Sequence, residues 1–296
     1  MDTHCGFVAI IGRPNVGKST LLNRFIGKKL SITSRKPQTT RHQFLGIKTI
    51  DNYQLLFVDT PGIDQLGKNV LAKYLNQVAQ NSVMGVDVVL FVIEALSWSE
   101  ADDNILNMLK KSSAPIIVVI NKIDRLTSPD KFAQFFAQLE TKIQDAPICS
   151  ISALKGLKIP LLEDMIKSFI PQALHIYPAD NMTDRSIRFI AAERIREKLT
   201  RRLGDELPFS ITVSIDEFIE DPKLSKIYAS IRVSKESQKG IVIGKKGKIL
   251  KSVGTDARRD LEAIIGSKVF LKLWVKVRSG WVDDIKALKD LGYDDW

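Results

Sequence analysis

A chain of 296 residues with 44% apolar content and a formal net charge of +10 is long enough for one large domain or two ordinary ones, and its composition is that of a soluble globular protein. Its two cysteines, Cys5 and Cys149, lie outside any ligand-like spacing, so neither a zinc site nor a disulfide framework is suggested and a reducing cytosol is expected. No apolar run approaches a membrane span, and the first, Phe7 to Ile11, lacks a basic lead-in, so neither export nor membrane integration is expected.

Through about residue 170, "FVAII", "LLFV", "VVLFVI" and "PIIVVI" are each followed by a loop and a helix-length segment. That pattern predicts an α/β domain with a mostly parallel, doubly wound sheet. "FLGIKTI" and "YQLLFV", separated by Asp51-Asn52, predict one antiparallel hairpin added to it. The stretch Pro171–Asp184 has two prolines among its first eight residues and little periodicity, and reads as a linker. Asp184 can then cap a helix whose stripe is Ile187, Ala191, Ile195, Leu199 and Leu203, with Arg188, Arg194, Arg196 and Arg201 largely off it. Two alternating segments, "SITVSI" and "IYASIRV", predict half-buried strands. A second glycine pair, "GKKG", precedes another helix stripe through Val253, Ala257 and Leu261, and "VFLKLWVKV" closes as a strand. The expected order, helix, strand, strand, glycine loop, helix, strand, is that of a smaller α+β domain. The expected division is 1–172, a linker over 173–184, the second domain over 185–282 and an acidic tail over 283–296. Trp274 and Trp281 can stack bases or pack between the last strand and the tail.

Basic character is concentrated late in the chain. Residues 239–278 hold eleven Lys/Arg against three acids, and residues 185–202 hold seven against two. Phosphate-rich partners are the natural expectation.

Four strings carry the chemistry of the first domain. "GRPNVGKS" follows a strand and opens a helix, so Gly12 and Gly17 let backbone N–H groups point inward, Lys18 brings a charge to the β- and γ-phosphates, and Ser19 offers its hydroxyl to Mg²⁺. In "DTPG", Asp59 can hold the metal through water and the Gly62 amide can sense the γ-phosphate. In "NKID", Asp124 can accept two hydrogen bonds from guanine, and Lys122 can lay its stem beneath the base. "ISAL" places Ser152 and Ala153 where a backbone N–H meets guanine O6. "GKKG" differs from the first loop, with only two residues between its glycines and no metal-holding hydroxyl. In its α+β setting it reads as the nucleic-acid clamp of a type II KH module, with Gly244 and Gly247 admitting phosphates, Lys245 and Lys246 neutralising them, and Ile241 and Ile243 receiving bases.

The first set resembles the translation-factor-related GTPases, and "GRPNVGKST", "QTTRH", "DTPG" and "NKID" joined to "IVIGKKGKIL" resemble the bacterial Era-type GTPases over nearly the whole chain. The resemblance implies a P-loop GTPase domain followed by a KH domain, binding GTP or GDP with Mg²⁺. The nucleotide site it implies comprises Gly12, Arg13, Pro14, Asn15, Val16, Gly17, Lys18, Ser19, Thr20, Asp59, Thr60, Pro61, Gly62, Asn121, Lys122, Asp124, Ser152 and Ala153. Lys18, Thr40, Asp59 and Gly62 serve hydrolysis, and one of two adjacent threonines, Thr40 in preference to Thr39, completes a metal shell with Ser19 and Asp59. Lys248 and Lys251 extend the RNA contacts of the second loop. Ile63 stands where Ras-type enzymes place a water-positioning glutamine, so slow intrinsic hydrolysis is expected. Asn15 matches the position that holds K⁺ in relatives with an apolar residue there. The implied partners are the 3′ end of 16S ribosomal RNA and the 30S subunit in its maturation, with peripheral attachment to the cytoplasmic face of the inner membrane and a monomeric state. Rival readings are an RNA chaperone with little nucleotide control and a membrane-surface switch anchored by the basic helix after Asp184.

Overall fold

The computed structural model describes residues 2–34, 36, 39–63, 69–143, 146–204, 207–291 and 293. It forms two compact units, one of Met1–Ser31, Thr40–Gly67 and Tyr74–Asp184, the other of Ile32–Thr39, Lys68–Lys73 and Arg185–Trp296.

The first unit is built, in chain order, from β1 (His4–Ile11), α1 (Lys18–Ile26), β2 (Phe44–Ile50), β3 (Tyr53–Asp59), α2 (Val70–Asn81, its residues from Tyr74 on), β4 (Val88–Glu94), α3 (Glu100–Leu109), β5 (Ile116–Asn121), α4 (Pro129–Ile143), β6 (Ile148–Ser150) and α5 (Ile159–Lys167). Its six-stranded sheet has the order β2-β3-β1-β4-β5-β6, parallel except for β2. Successive strand residues face opposite sides, so β1 supplies two cores. Val8 and Ile10 pack with Leu21, Leu22 and Phe25 of α1 and with Leu162 and Ile166 of α5. Ala9 and Ile11 pack with Ile105 and Leu109 of α3 and Leu139 and Ile143 of α4. Strands covered on both faces have no need of polar alternation, which is why the sequence shows unbroken apolar runs there.

The hairpin β2–β3 turns at Asp51, which adopts the left-handed φ of 52°. The stretch after α5 is tied along this sheet. Gln54 Oε1 accepts from the amides of Ile176 and Tyr177 at 2.9 Å each, and its Nε2 donates to the Tyr177 carbonyl at 2.8 Å. The open edge of β2 is partnered by Met182–Asp184: Ile47 N–H donates to the Met182 carbonyl at 2.9 Å and Leu45 N–H to Asp184 Oδ1 at 3.0 Å. Asp184 is therefore not the cap of the next helix. That role falls to Ser186, whose Oγ accepts from the Phe189 amide at 3.3 Å.

The second unit contains α6 (Ile187–Arg202), β7 (Thr212–Ile219), β8 (Leu224–Val233), α7 (Glu236–Ile243), α8 (Lys248–Ile265), β9 (Lys268–Val277) and α9 (Ile285–Lys289). The sheet runs β7-β8-β9, antiparallel then parallel. Ile195 and Leu199 of α6, Val242 of α7, and Val253 and Ala257 of α8 cover one face, against Ala229, Ile231, Leu271, Leu273 and Val275. Helix α7 is absent from the sequence reading, which runs from strand to glycine loop. Gly240 and a β-branched run disguise it, while Gln238 accepts from the amides of Ser234 and Lys235 at 2.8 and 3.0 Å and caps its start.

The basic face expected on α6 is also corrected. Arg194 and Arg196 are buried, beside Glu197 and Glu193 respectively. Within the same unit, Thr33 N–H donates to Glu197 Oε1 at 3.1 Å, Arg201 donates to the Thr33 carbonyl, and Arg196 donates to the Thr39 carbonyl. Trp281 is buried and donates its indole N–H to the Ser210 carbonyl at 3.2 Å, whereas Trp274 stays 38% exposed and stacks on Tyr228. The tail carries the short helix α9, capped by Asp284, whose Oδ1 accepts from the Lys286 and Ala287 amides. Among the described residues no helix is long and apolar enough to cross a membrane.

Candidate functional site: a phosphate loop and a second glycine turn

The first loop joins the end of β1 to the start of α1, so the helix N-terminus and the loop amides meet at one point. Gly17 has φ of 107°, and a Cβ there would stand 2.2 Å from Asn121 Nδ2, so only glycine fits. Lys18 is buried beneath the loop, and its ammonium donates to the carbonyls of Gly12 and Arg13 at 2.9 Å each. Burial pulls its pKa down to about 8, against the opposing pull of Asp59. Burial likewise pushes the Asp59 carboxyl up to about 6, against the hydrogen bond from Ser31 and the charge of Lys18. A buried cation at a helix N-terminus fits a polyphosphate, and a buried carboxylate beside it fits a cation.

Three oxygens converge beside that carboxylate. Ser19 Oγ lies 2.9 Å from Thr40 Oγ1 and 3.3 Å from Asp59 Oδ2, which also accepts from Ser31 Oγ at 2.6 Å. Asp59 Oδ1 is buried without a hydrogen-bond partner among the described residues. An orphaned carboxylate oxygen beside two hydroxyls is a hard-oxygen donor set that fits Mg²⁺. Thr39 turns elsewhere, its hydroxyl donating to the Lys36 carbonyl at 2.6 Å. Gln38 of "QTTRH" lies outside the described residues. Among the described residues, no group of three or more His, Cys, Asp or Glu is placed to hold a metal, and both cysteines are free and buried.

Asn121, at the end of β5, bridges two loops: its Nδ2 donates to the Val16 carbonyl at 2.8 Å and its Oδ1 accepts from the Ala153 amide at 3.0 Å. The Ser152 amide donates to the Leu157 carbonyl at 3.2 Å, and its hydroxyl donates to Asp124 Oδ1 at 2.5 Å, which orients the exposed carboxylate. Lys122 takes a left-handed φ of 68° and is held by Glu94 Oε2 at 2.5 Å, with Arg125 on the other oxygen at 3.2 Å. Arg13 commits its guanidinium to the buried Asp102 at 2.7 Å and the Ser97 carbonyl at 2.9 Å. Thr60 donates to the Ile10 carbonyl at 2.9 Å. Ile63 is buried in the core with Ala9 and Ile11.

Ser31, Glu94 and Asp102 escaped the sequence reading. Glu94, a charge ending the apolar run "VVLFVI", leaves a local signal, and so does Asp102, which closes a capping box with Ser99 at the start of α3; Ser31 meets Asp59 through tertiary structure.

The second glycine turn links α7 to α8. Gly244 has φ of 73°, and a Cβ there would stand 2.6 Å from Ile249 Cγ1. Lys246 takes a left-handed φ of 51°, a strained conformation for a residue with a side chain. Lys245, Lys246, Lys248 and Lys251 are exposed, Ile241 is 49% exposed, and Ile243 is half-buried.

The family of 50S ribosome-binding GTPases matches residues 7–122, and the KH domain family matches residues 206–282. The GTPase Era of Marinobacter nauticus is 49% identical over 295 residues, spanning 100% of this chain and 97% of that protein. Two solved Era structures align at a TM-score of 0.95 and 40% identity, covering 98% of this chain and 99% of theirs. One is Era in complex with MgGDPNP and nucleotides 1506–1542 of 16S ribosomal RNA, the other an Aquifex aeolicus Era variant bound to GDP·AlF4⁻. Fold and site thus define a P-loop GTPase carrying a KH domain, and the enzyme hydrolyses GTP. The chain belongs to the Era GTPase family.

Proposed function

We propose that this GTPase is a nucleotide-governed RNA-binding switch that engages 16S ribosomal RNA near its 3′ end and acts in assembly of the 30S subunit. The observation that carries the RNA reading is the turn at Gly244–Gly247, where Gly244 packs against Ile249 and the exposed Lys245, Lys246, Lys248 and Lys251, in and just after the turn, offer a phosphate clamp beside the exposed Ile241. The Era structure that holds nucleotides 1506–1542 supports the choice of RNA segment.

In the GTPase unit, Ser19, Thr40 and Asp59 would hold Mg²⁺, the last through water, and Lys18 would meet the β- and γ-phosphates. The ion supplies neutralisation of the charge that develops on the transferred phosphoryl group. Asp124, oriented by Ser152, reads guanine, and Lys122 lies beneath the base. Ile63, committed to the core, leaves the attacking water without a side-chain partner at that position, which accords with slow intrinsic turnover. Asn15, which adopts a left-handed φ of 66°, would help hold K⁺; equal hydrolysis rates in Na⁺ and K⁺ would remove that assignment. The working division is a GTPase domain over 1–172, a connector over 173–184, a KH domain over 185–282 and a tail over 283–296. We further propose a cytoplasmic monomer whose basic surface draws it to the inner membrane without insertion.

The test is affinity for a single-stranded oligonucleotide from the 3′ end of small-subunit ribosomal RNA, with GDP and with a non-hydrolysable GTP analogue, at one salt concentration. A tenfold difference, about 1.4 kcal/mol of coupling, is expected. Equal affinity in both states would overturn the switch, and no binding in either would overturn the RNA reading.

A further inference from the structure

The KH sheet has a second face, which the helices do not cover. Strict alternation in β9 sends Lys268, Phe270, Lys272, Trp274 and Lys276 to that side, while Val269, Leu271, Leu273, Val275 and Val277 face the helices. The parallel register sets Lys226 of β8 beside Phe270 and Tyr228 beside Lys272. Three aromatic rings consequently gather on this face. Tyr228 lies 5.9 Å from Phe270 at an interplanar angle of 61°, and 5.9 Å from Trp274 at 23°. Phe270 is 45% and Trp274 38% exposed.

Exposed aromatics in a cluster mark a binding surface, and the residues between them select its partner. A protein-docking patch is depleted of lysine at its centre. Here a lysine separates each aromatic from the next along β9, and the Lys272 ammonium rests 5.1 Å from the centroid of the Trp274 ring. Lys276 pairs with Asp216 at 3.6 Å, whereas Lys226, Lys268 and Lys272 enter no ion pair among the described residues. Flat rings alternating with unpaired cations complement a chain that alternates flat bases with phosphates. A duplex hides its bases, so the surface suits a single strand, with rings stacking bases and lysines meeting phosphates.

We propose that the outer face of the KH sheet, centred on Tyr228, Phe270 and Trp274, is a second binding surface for single-stranded RNA. It goes beyond the glycine-turn clamp, because α7 and α8, which carry that turn, pack on the opposite face of the same sheet. A strand engaging both must pass around the domain edge.

The experiment uses the full-length GDP-bound protein and a fluorescein-labelled oligouridine of about twenty nucleotides, long enough for both surfaces. Anisotropy is measured for the wild type, for the turn variant K245D/K246D, for the face variant F270A/W274A, and for the four-fold combination. Both aromatic positions are solvent-facing, so the face variant should fold; unchanged GTP hydrolysis and circular dichroism check this, and K272E provides a variant that leaves the rings intact. The turn variant is expected to retain measurable binding, the face substitutions to weaken it a further tenfold or more, and K272E to weaken it in the same direction. Equal affinity of the turn variant and the four-fold variant would overturn the proposal, as would complete loss of binding in the turn variant alone. If vesicles of phosphatidylglycerol lose affinity in the face variant while oligouridine binding is unchanged, the surface belongs to lipid and the RNA assignment falls. Unaltered binding in the turn variant together with loss in the face variant would instead uphold this surface and remove the glycine-turn clamp.

Discussion

The two glycine loops of this chain share residue types and differ in what surrounds them. In the first, Lys18 is buried, its ammonium is held by two carbonyls, and Gly17 has the Asn121 amide against it. In the second, one glycine is hemmed in by Ile249, the other faces open space, and the lysines are exposed. A walled loop can discriminate among small ligands by fit, since any misplaced atom meets protein. An open turn gains its affinity from charge and tolerates variation in what it holds. Fine selectivity belongs to the first loop and adaptable, salt-sensitive grip to the second.

The largest expected effect that sharpens this contrast is Lys18→Ala, which removes the buried cation and should lower GTP hydrolysis on the order of 100-fold or more. A single-turnover assay with saturating GTP checks it; a loss under tenfold would mean that the buried lysine is no more critical than an exposed one. Asp124→Asn exchanges an acceptor for a donor at the base reader and should weaken GDP binding by about 1–3 kcal/mol while improving binding of the xanthine nucleotide, read by calorimetric titration. Gly244→Ala and Gly247→Ala separate the walled and open halves of the second turn. The first must displace Ile249 and should cost about 1–3 kcal/mol in urea unfolding, the second only the left-handed strain of about 1–2 kcal/mol. Equal costs would show that Ile249 yields freely. The smallest change is expected from K245A/K246A, where the slope of log affinity against log salt should flatten by about 1.4, or about 0.7 per lost phosphate contact, with hydrolysis of GTP unaltered.

The parallel sheet and both loops were legible because each follows from local pattern: unbroken apolar runs, glycines at fixed offsets, alternation in the last strand. What escaped was written between distant positions. Ser31 completes the partners of Asp59 across 28 residues, and Asp102 takes Arg13 across 89. Helix α6 shows the same limit in another form. Its periodicity placed the apolar stripe correctly, yet four residues per repeat could not reveal that Arg194 and Arg196 have carboxylate neighbours at Glu197 and Glu193 and are buried with them. Asp184 reads as the cap in sequence, but the β2 edge claims it and Ser186 takes that role.

That claim has a practical consequence for dissecting the protein. Residues 182–184 give the outermost strand of the large sheet its last hydrogen-bonding neighbour. A fragment cut at the proline-marked boundary near 172 would leave Phe44–Ile50 with unpaired amides and carbonyls, a template on which other copies can add strands. A fragment carried through residue 184 keeps its own selvedge, and of the two it is the one that should stay dispersed at high concentration.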